Sequence, residues 1–137
     1  MFHKTVSQPT MKAARFLLTA VVIPILTACS STAVDVDVPT AKARIASGSQ
    51  VLDVRTLEEW NEGHLKNAVR IDIKQPGFAE AAAKQLDPAR PLLVYCRSGA
   101  RSAKAVEVLK KQGFTRIENL SGGIIAWKAA AEPLEKP

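Results

Sequence analysis

Cysteine is scarce in this chain: two occur among 137 residues, Cys29 and Cys96. That scarcity excludes a disulfide-stapled scaffold and a cysteine-rich metal knuckle. His64 and Cys96 have no ligand partners at metal spacing, so no metal site is expected. Acids are missing from the first fifteen residues, which hold Lys4, Lys12 and Arg15. From Cys29 onward 16 basic residues face 13 acidic ones, an excess of only +3. So mild a balance describes a solvated surface and gives no case for nucleic acid. No internal repeat or low-complexity tract appears after residue 38, and no apolar run reaches the roughly 20 residues that span a bilayer. The length suits one domain with a real core, not two.

What is present begins at the N-terminus. Lys12 and Arg15 precede the apolar stretch FLLTAVVIPILTA, residues 16–28, interrupted by Pro24. A basic segment before a short apolar one is the pattern of a secretory signal; the competing reading is a buried helix. The stretch ends in LTAC, Leu26 to Cys29, which resembles the lipobox of bacterial lipoproteins. That resemblance implies cleavage before Cys29, acylation of its thiol and attachment to the membrane of the cell envelope. Ser30 follows in place of an aspartate, which by the same analogy implies a periplasmic protein anchored at the outer membrane. Met11 opens the tighter signal MKAARFLL and is the alternative start. With Cys29 acylated, Cys96 is the one remaining thiol. It is then either an inert core residue or a reactive group.

The rest divides into a tether over 29–38, a domain over 39–132 and a tail over 133–137. A short strand is expected around Val34 to Val38. Helical patterns cover PTAKARIAS, with Pro39 in its first turn and Gly48 past its end, FAEAAAKQL over 78–86, Ser102 to Gln112 with Ala103, Val106 and Leu109 inward, and GGIIAWKAAAE up to Pro133. Thr56 and Glu59 form a T-x-x-E capping box for a short helix through Trp60. Strands are expected at VLDV (51–54), AVRIDI (68–73), LLVYC (92–96) and RIEN (116–119); LLVYC is apolar at consecutive positions, as in a strand covered on both faces. Alternating strands and helices predict an α/β domain, a mostly parallel central sheet with helices on both faces.

Cys96 falls at the carboxyl end of the most apolar strand, where such folds bind ligands. The following CRSGAR leads into a helix start. Loop amides can form an anion nest, and the helix dipole adds roughly half a positive charge. Arg97 and Arg101 add cations, and Gly99 permits a tight turn. Together these favour a thiolate over a thiol, with a small anion held beside it by Arg97, Ser98, Gly99, Ala100, Arg101 and Ser102. The phosphatase loop Cys-x5-Arg needs an arginine where this chain has Ser102; Arg101 stands one place too early. A loop that short favours sulfur over a tetrahedral phosphate, leaving a phosphatase or arsenate reductase as the weaker reading.

This loop resembles the active-site loop of rhodanese-family sulfurtransferases. Two more segments carry the likeness: DVRTLEEWNEGHLKNAVRID (53–72), with Asp53, Arg55, Glu59, Trp60, Gly63, His64 and Ala68 in place, and LSGGIIAW (120–127). The resemblance implies a thiosulfate sulfurtransferase without a separate cofactor. The Cys96 thiolate would take the outer sulfur of thiosulfate as a persulfide and pass it to cyanide or another thiol. A persulfide relay to a partner protein is the alternative. Asp53, Arg55 and His64 are expected to brace the site. Trp60 and Trp127 are expected in the core or over the cleft, and Gly122 and Gly123 in a tight strand-to-helix turn.

Overall fold

A computed structural model describes residues 33–137. Cys29 and the signal-like stretch lie outside the described residues. Five strands form one sheet: β1 (Val34–Val36), β2 (Gln50–Asp53), β3 (Ala68–Arg70), β4 (Leu92–Tyr95) and β5 (Ile117–Leu120). Their order is β1-β5-β4-β2-β3, and each neighbouring pair is parallel. The expected parallel α/β architecture holds.

The alternation of side chains along β4 builds two cores. Leu92 and Val94 join Leu52, Val54 and Ile117 on one face. There they meet α3 (Phe78–Gln85) through Phe78 and Ala82, and α4 (Ala100–Lys111) through Ala105, Val106 and Leu109. Leu93 and Tyr95 point to the other face, against α1 (Val38–Ala46) and α5 (Gly123–Ala129), through Ala41, Ile124 and Trp127. All four β4 residues are buried, as a strand covered on both sides requires. The short α2 (Leu57–Asn61) carries the predicted capping box, with Thr56 at its N-cap.

Several boundaries differ from those read in the sequence. Val34–Val36 pairs with β5 and Asp37 caps α1 through Thr40 N–H, so the folded unit begins ahead of residue 39 and residues 34–38 are not a loose tether. The 133–137 tail is also engaged: Trp127 Nε1 donates to Pro133 O at 3.0 Å, and Glu135 pairs backbone to backbone with His64. α4 starts at Ala100, two residues early, because Gly99 turns the chain with φ 100° and needs no side-chain cap. Its buried stripe is Ser102, Ala105, Val106 and Leu109; Ala103 lies beside it.

Candidate active site

β4 delivers Cys96 to the carboxyl edge of the sheet, and the chain then turns through residues 97–99 into α4. The thiol sits at the floor of that turn, 1% exposed. Gly99 N–H donates to Cys96 Sγ at 3.1 Å, and the Ser102 hydroxyl lies 3.3 Å from the same sulfur. Ser102 Oγ is also 3.1 Å from Gly99 O, so its single proton is shared between the sulfur and a carbonyl.

Burial alone pushes the Cys96 thiol up. Hydrogen bonds from the Ser102 hydroxyl and from the Ser102, Gly99 and Ser98 amides outweigh it, and the thiol ends below its ordinary range. The start of the twelve-residue α4 acts in the same direction. The sulfur is therefore prepared as a nucleophile by neutral donors.

α5 helps to aim the start of the loop. Ile124 N–H donates to Cys96 O at 2.9 Å and Ile125 N–H to Arg97 O at 3.2 Å. In a trans peptide N–H and C=O point to opposite sides. Anchoring these two carbonyls on α5 therefore turns the Arg97 and Ser98 amides away from it, toward the sulfur side. Gly123 makes the approach possible: a Cβ there would lie 2.5 Å from both carbonyl oxygens. Asn119, buried at the end of β5, donates from Nδ2 to Gly99 O at 3.3 Å and to Asp35 Oδ1 at 2.7 Å.

The two arginines of the loop differ in how they are held. Arg101 stands within the helix, not just ahead of it, and its charge is felt at Cys96. It lies in the first turn of α4 and forks Glu59, with Nη1 to Oε2 at 2.8 Å and Nη2 to Oε1 at 2.6 Å. The Arg101 hydrogen bonds hold the Glu59 carboxyl down at about 2, against the opposing effect of burial. Arg97 is exposed and borders a cleft with Glu59, Glu62, Ile125 and Lys128. Of the remaining loop residues, Ser98 and Ala100 are exposed while Gly99 and Ser102 are buried.

Asp53 and Arg55 form a buried two-point ion pair, Nε to Oδ1 at 2.9 Å and Nη2 to Oδ2 at 2.7 Å. Arg55 also donates to Gly63 O at 2.8 Å, and Tyr95 OH donates to Asp53 Oδ2 at 2.6 Å. Leu65 N–H completes the network by donating to Tyr95 OH. It ties the end of β2, and the end of β4 one residue before Cys96, to the segment carrying His64. His64 stacks on Trp60, ring centres 3.6 Å apart, with Nδ1 3.1 Å from Leu65 O. Among the described residues no three of His, Cys, Asp and Glu converge to hold a metal ion.

Sequence reasoning assigned no site role to Tyr95 or Asn119, and saw Glu59 only as a cap and a motif residue. Glu59 falls in the signature segment, the one signal that pointed to it; Tyr95 and Asn119 gave none beyond their places at strand ends.

The fold and this loop define a class. The rhodanese-like domain family matches residues 37–130, and the chain belongs to it. Thiosulfate sulfurtransferase 18 of Arabidopsis thaliana is 38% identical over 112 residues, covering 74% of this chain and 82% of that protein. The tRNA uridine(34) hydroxylase of Chlamydia abortus is 41% identical over 85 residues, 58% of this chain but 26% of its own length. Among solved structures, the rhodanese-like domain of an Anabaena protein superposes with a TM-score of 0.67 at 30% identity, covering 75% of this chain and 79% of that one. A rhodanese-related protein of Thermoplasma volcanium gives 0.67 at 29% identity, with 76% and 99% covered. Family and relatives together support a sulfurtransferase.

Proposed function

We propose that the protein moves a sulfane sulfur from thiosulfate, or a related donor, to a thiophilic acceptor through a persulfide on Cys96. The observation that carries this reading is the convergence of Gly99 N–H and the Ser102 hydroxyl on one buried sulfur. The thiolate attacks the outer sulfur of thiosulfate. A new S–S bond forms on Cys96, the S–S bond of the donor breaks, and its electron pair departs with sulfite. The negative charge now rests on the outer persulfide sulfur, beside the Ser98, Gly99 and Ser102 amides that stabilise it. Cyanide or a thiol then attacks that sulfur and Cys96 leaves as thiolate, giving thiocyanate or the acceptor's persulfide. The sulfur travels covalently on the protein without a cofactor, and the two half-reactions give ping-pong kinetics.

Mass spectrometry after thiosulfate treatment tests this: one added sulfur on Cys96 is expected, and none on Cys96→Ala or Cys96→Ser, both inactive. A Cys96 variant that still transfers sulfur would sink the reading. Turnover of a phosphate ester with none on thiosulfate would favour the phosphatase alternative.

A second reading, relay of the persulfide to a partner protein, is favoured by relatives in which the matched segment is about a quarter of a longer chain. Comparing transfer to cyanide with transfer to protein thiols separates the two.

We also propose that the protein is exported to the bacterial envelope and anchored there, in the periplasm at the outer membrane, by acylation of Cys29. The support is the sequence of residues 11–30. Among the described residues no helix is long and apolar enough to cross a membrane. Cys29→Ala is expected to release the protein from membranes; unchanged retention would defeat the anchor.

A further inference from the structure

We infer that the end of the domain opposite Cys96 is a cationic face that rests on an anionic phospholipid surface, holding the catalytic loop away from the bilayer. The inference builds on the proposed anchoring at Cys29, but its charge argument stands independently.

In a wholly parallel sheet every strand starts at the same end. Val34, Gln50, Leu92 and Ile117 mark that end, and Cys96 lies past the other end of β4. Returning helices bring their last turns down to the starting end, and those turns are basic: Arg44 in α1, Lys84 in α3, Lys110 and Lys111 in α4. The segments entering β4 and β5 add Arg90 and Arg116. Basic last turns also complement helix dipoles; Arg90 and Arg116 lie outside any helix, so that account does not cover them.

The face is continuous. Val34, Arg44 and Arg116 border one depression, and Arg90 and Gly48 border the next, with Ser49 common to both. Arg90 Nη2 donates to Gly48 O at 3.1 Å. Arg44 engages Glu118 and Lys110 engages Glu107. Around them Lys84, Arg90, Lys111 and Arg116 are exposed, against the single exposed carboxylate of Asp87. At the catalytic end exposed Glu58, Glu62 and Glu80 balance exposed Lys74, Arg97 and Lys128.

The path of the chain points to the same face. β1 begins at Val34, itself 56% exposed. Four residues separate it from Cys29. Five residue steps reach about 18 Å at full extension. An acyl chain on Cys29 therefore holds the strand-starting end beside the headgroups, with the cysteine loop at least a strand's length farther out. Near an anionic surface each added cation raises partitioning about fivefold.

The test uses the full lipidated chain, moved from detergent into phosphatidylethanolamine vesicles with or without about a quarter phosphatidylglycerol, and read by hydrogen–deuterium exchange. Expected is slowed exchange in residues 84–91 and 110–117 with the anionic lipid only, and no change in 96–102. The double variant Arg90→Glu, Arg116→Glu is expected to stay with the vesicles but lose that protection. Protection over 96–102, equal protection on neutral lipid, or none at all would overturn the orientation. Absence of acyl mass on Cys29 would defeat the anchor instead. Flotation of a chain beginning at Ser30, which carries neither Cys29 nor the apolar 16–28 stretch, with anionic vesicles then decides the face alone: salt-sensitive binding, weaker in the double variant, supports it, and no binding overturns it.

Discussion

Glu59 on α2 and Arg101 on α4 are joined by a forked ion pair of 2.6 and 2.8 Å across the mouth of the cysteine loop. The pair fastens the first turn of α4, whose amides serve the sulfur, to a helix 42 positions earlier in the chain.

Glu59→Gln isolates this pair, since glutamine keeps the capping box with Thr56. With the pair about a quarter exposed, the expected loss is about 1 kcal/mol at neutral pH. The Glu59 carboxyl falls from 4.5 to about 2 on folding. Its contribution is thus complete above pH 4.5 and disappears as the pH falls through about 2. Urea midpoints of wild type and variant should differ at pH 7 and converge toward pH 2; a constant gap would show that the charge is not what matters. Turnover with thiosulfate is expected to slow several-fold.

Ser102→Ala removes the hydroxyl that faces Cys96 Sγ. With one donor to the thiolate gone, the pH profile of Cys96 alkylation is expected to move upward. An unmoved profile would assign the whole effect to the amides.

Gly123→Ala sets a Cβ against two backbone oxygens at a φ of 57°. Neither carbonyl can step aside without releasing its bond to α5. The expected cost is about 3 kcal/mol with loss of sulfur transfer. Thermal unfolding together with the alkylation profile checks it; wild-type values in both would show that the close approach is dispensable.

Tyr95→Phe separates stability from chemistry. It strips a hydrogen bond from the buried Asp53 carboxylate and leaves Leu65 N–H without its acceptor. Denaturant titration is expected to show a loss of about 2 kcal/mol. The Cys96 titration should stay where it was; a large shift would place the phenol in the sulfur's environment.

Much of the site was legible in the sequence because it is local. Strand, cysteine, glycine turn and helix follow one another within residues 92–111, and each element carries its own short-range signal. What escaped depends on distant partners. The partner that holds Arg101, Glu59, lies 42 positions back in the chain, beyond any local pattern. The part played by Gly123 depends on where β5 delivers α5, which no nearby residue encodes. β1 is three residues long, and its membership in the sheet rests wholly on pairing with residues 118–120. At the start of α4 Gly99 turns the chain by backbone conformation, without a capping side chain to mark the position.

The bonds from Ile124 and Ile125 to the carbonyls of Cys96 and Arg97 also set an order of events during synthesis. A nascent polypeptide that has emerged only through α4 owns the sulfur but lacks the clasp that turns its peptide groups. Competence therefore arrives only once α5 has been made, and products terminated before it lack the clasp.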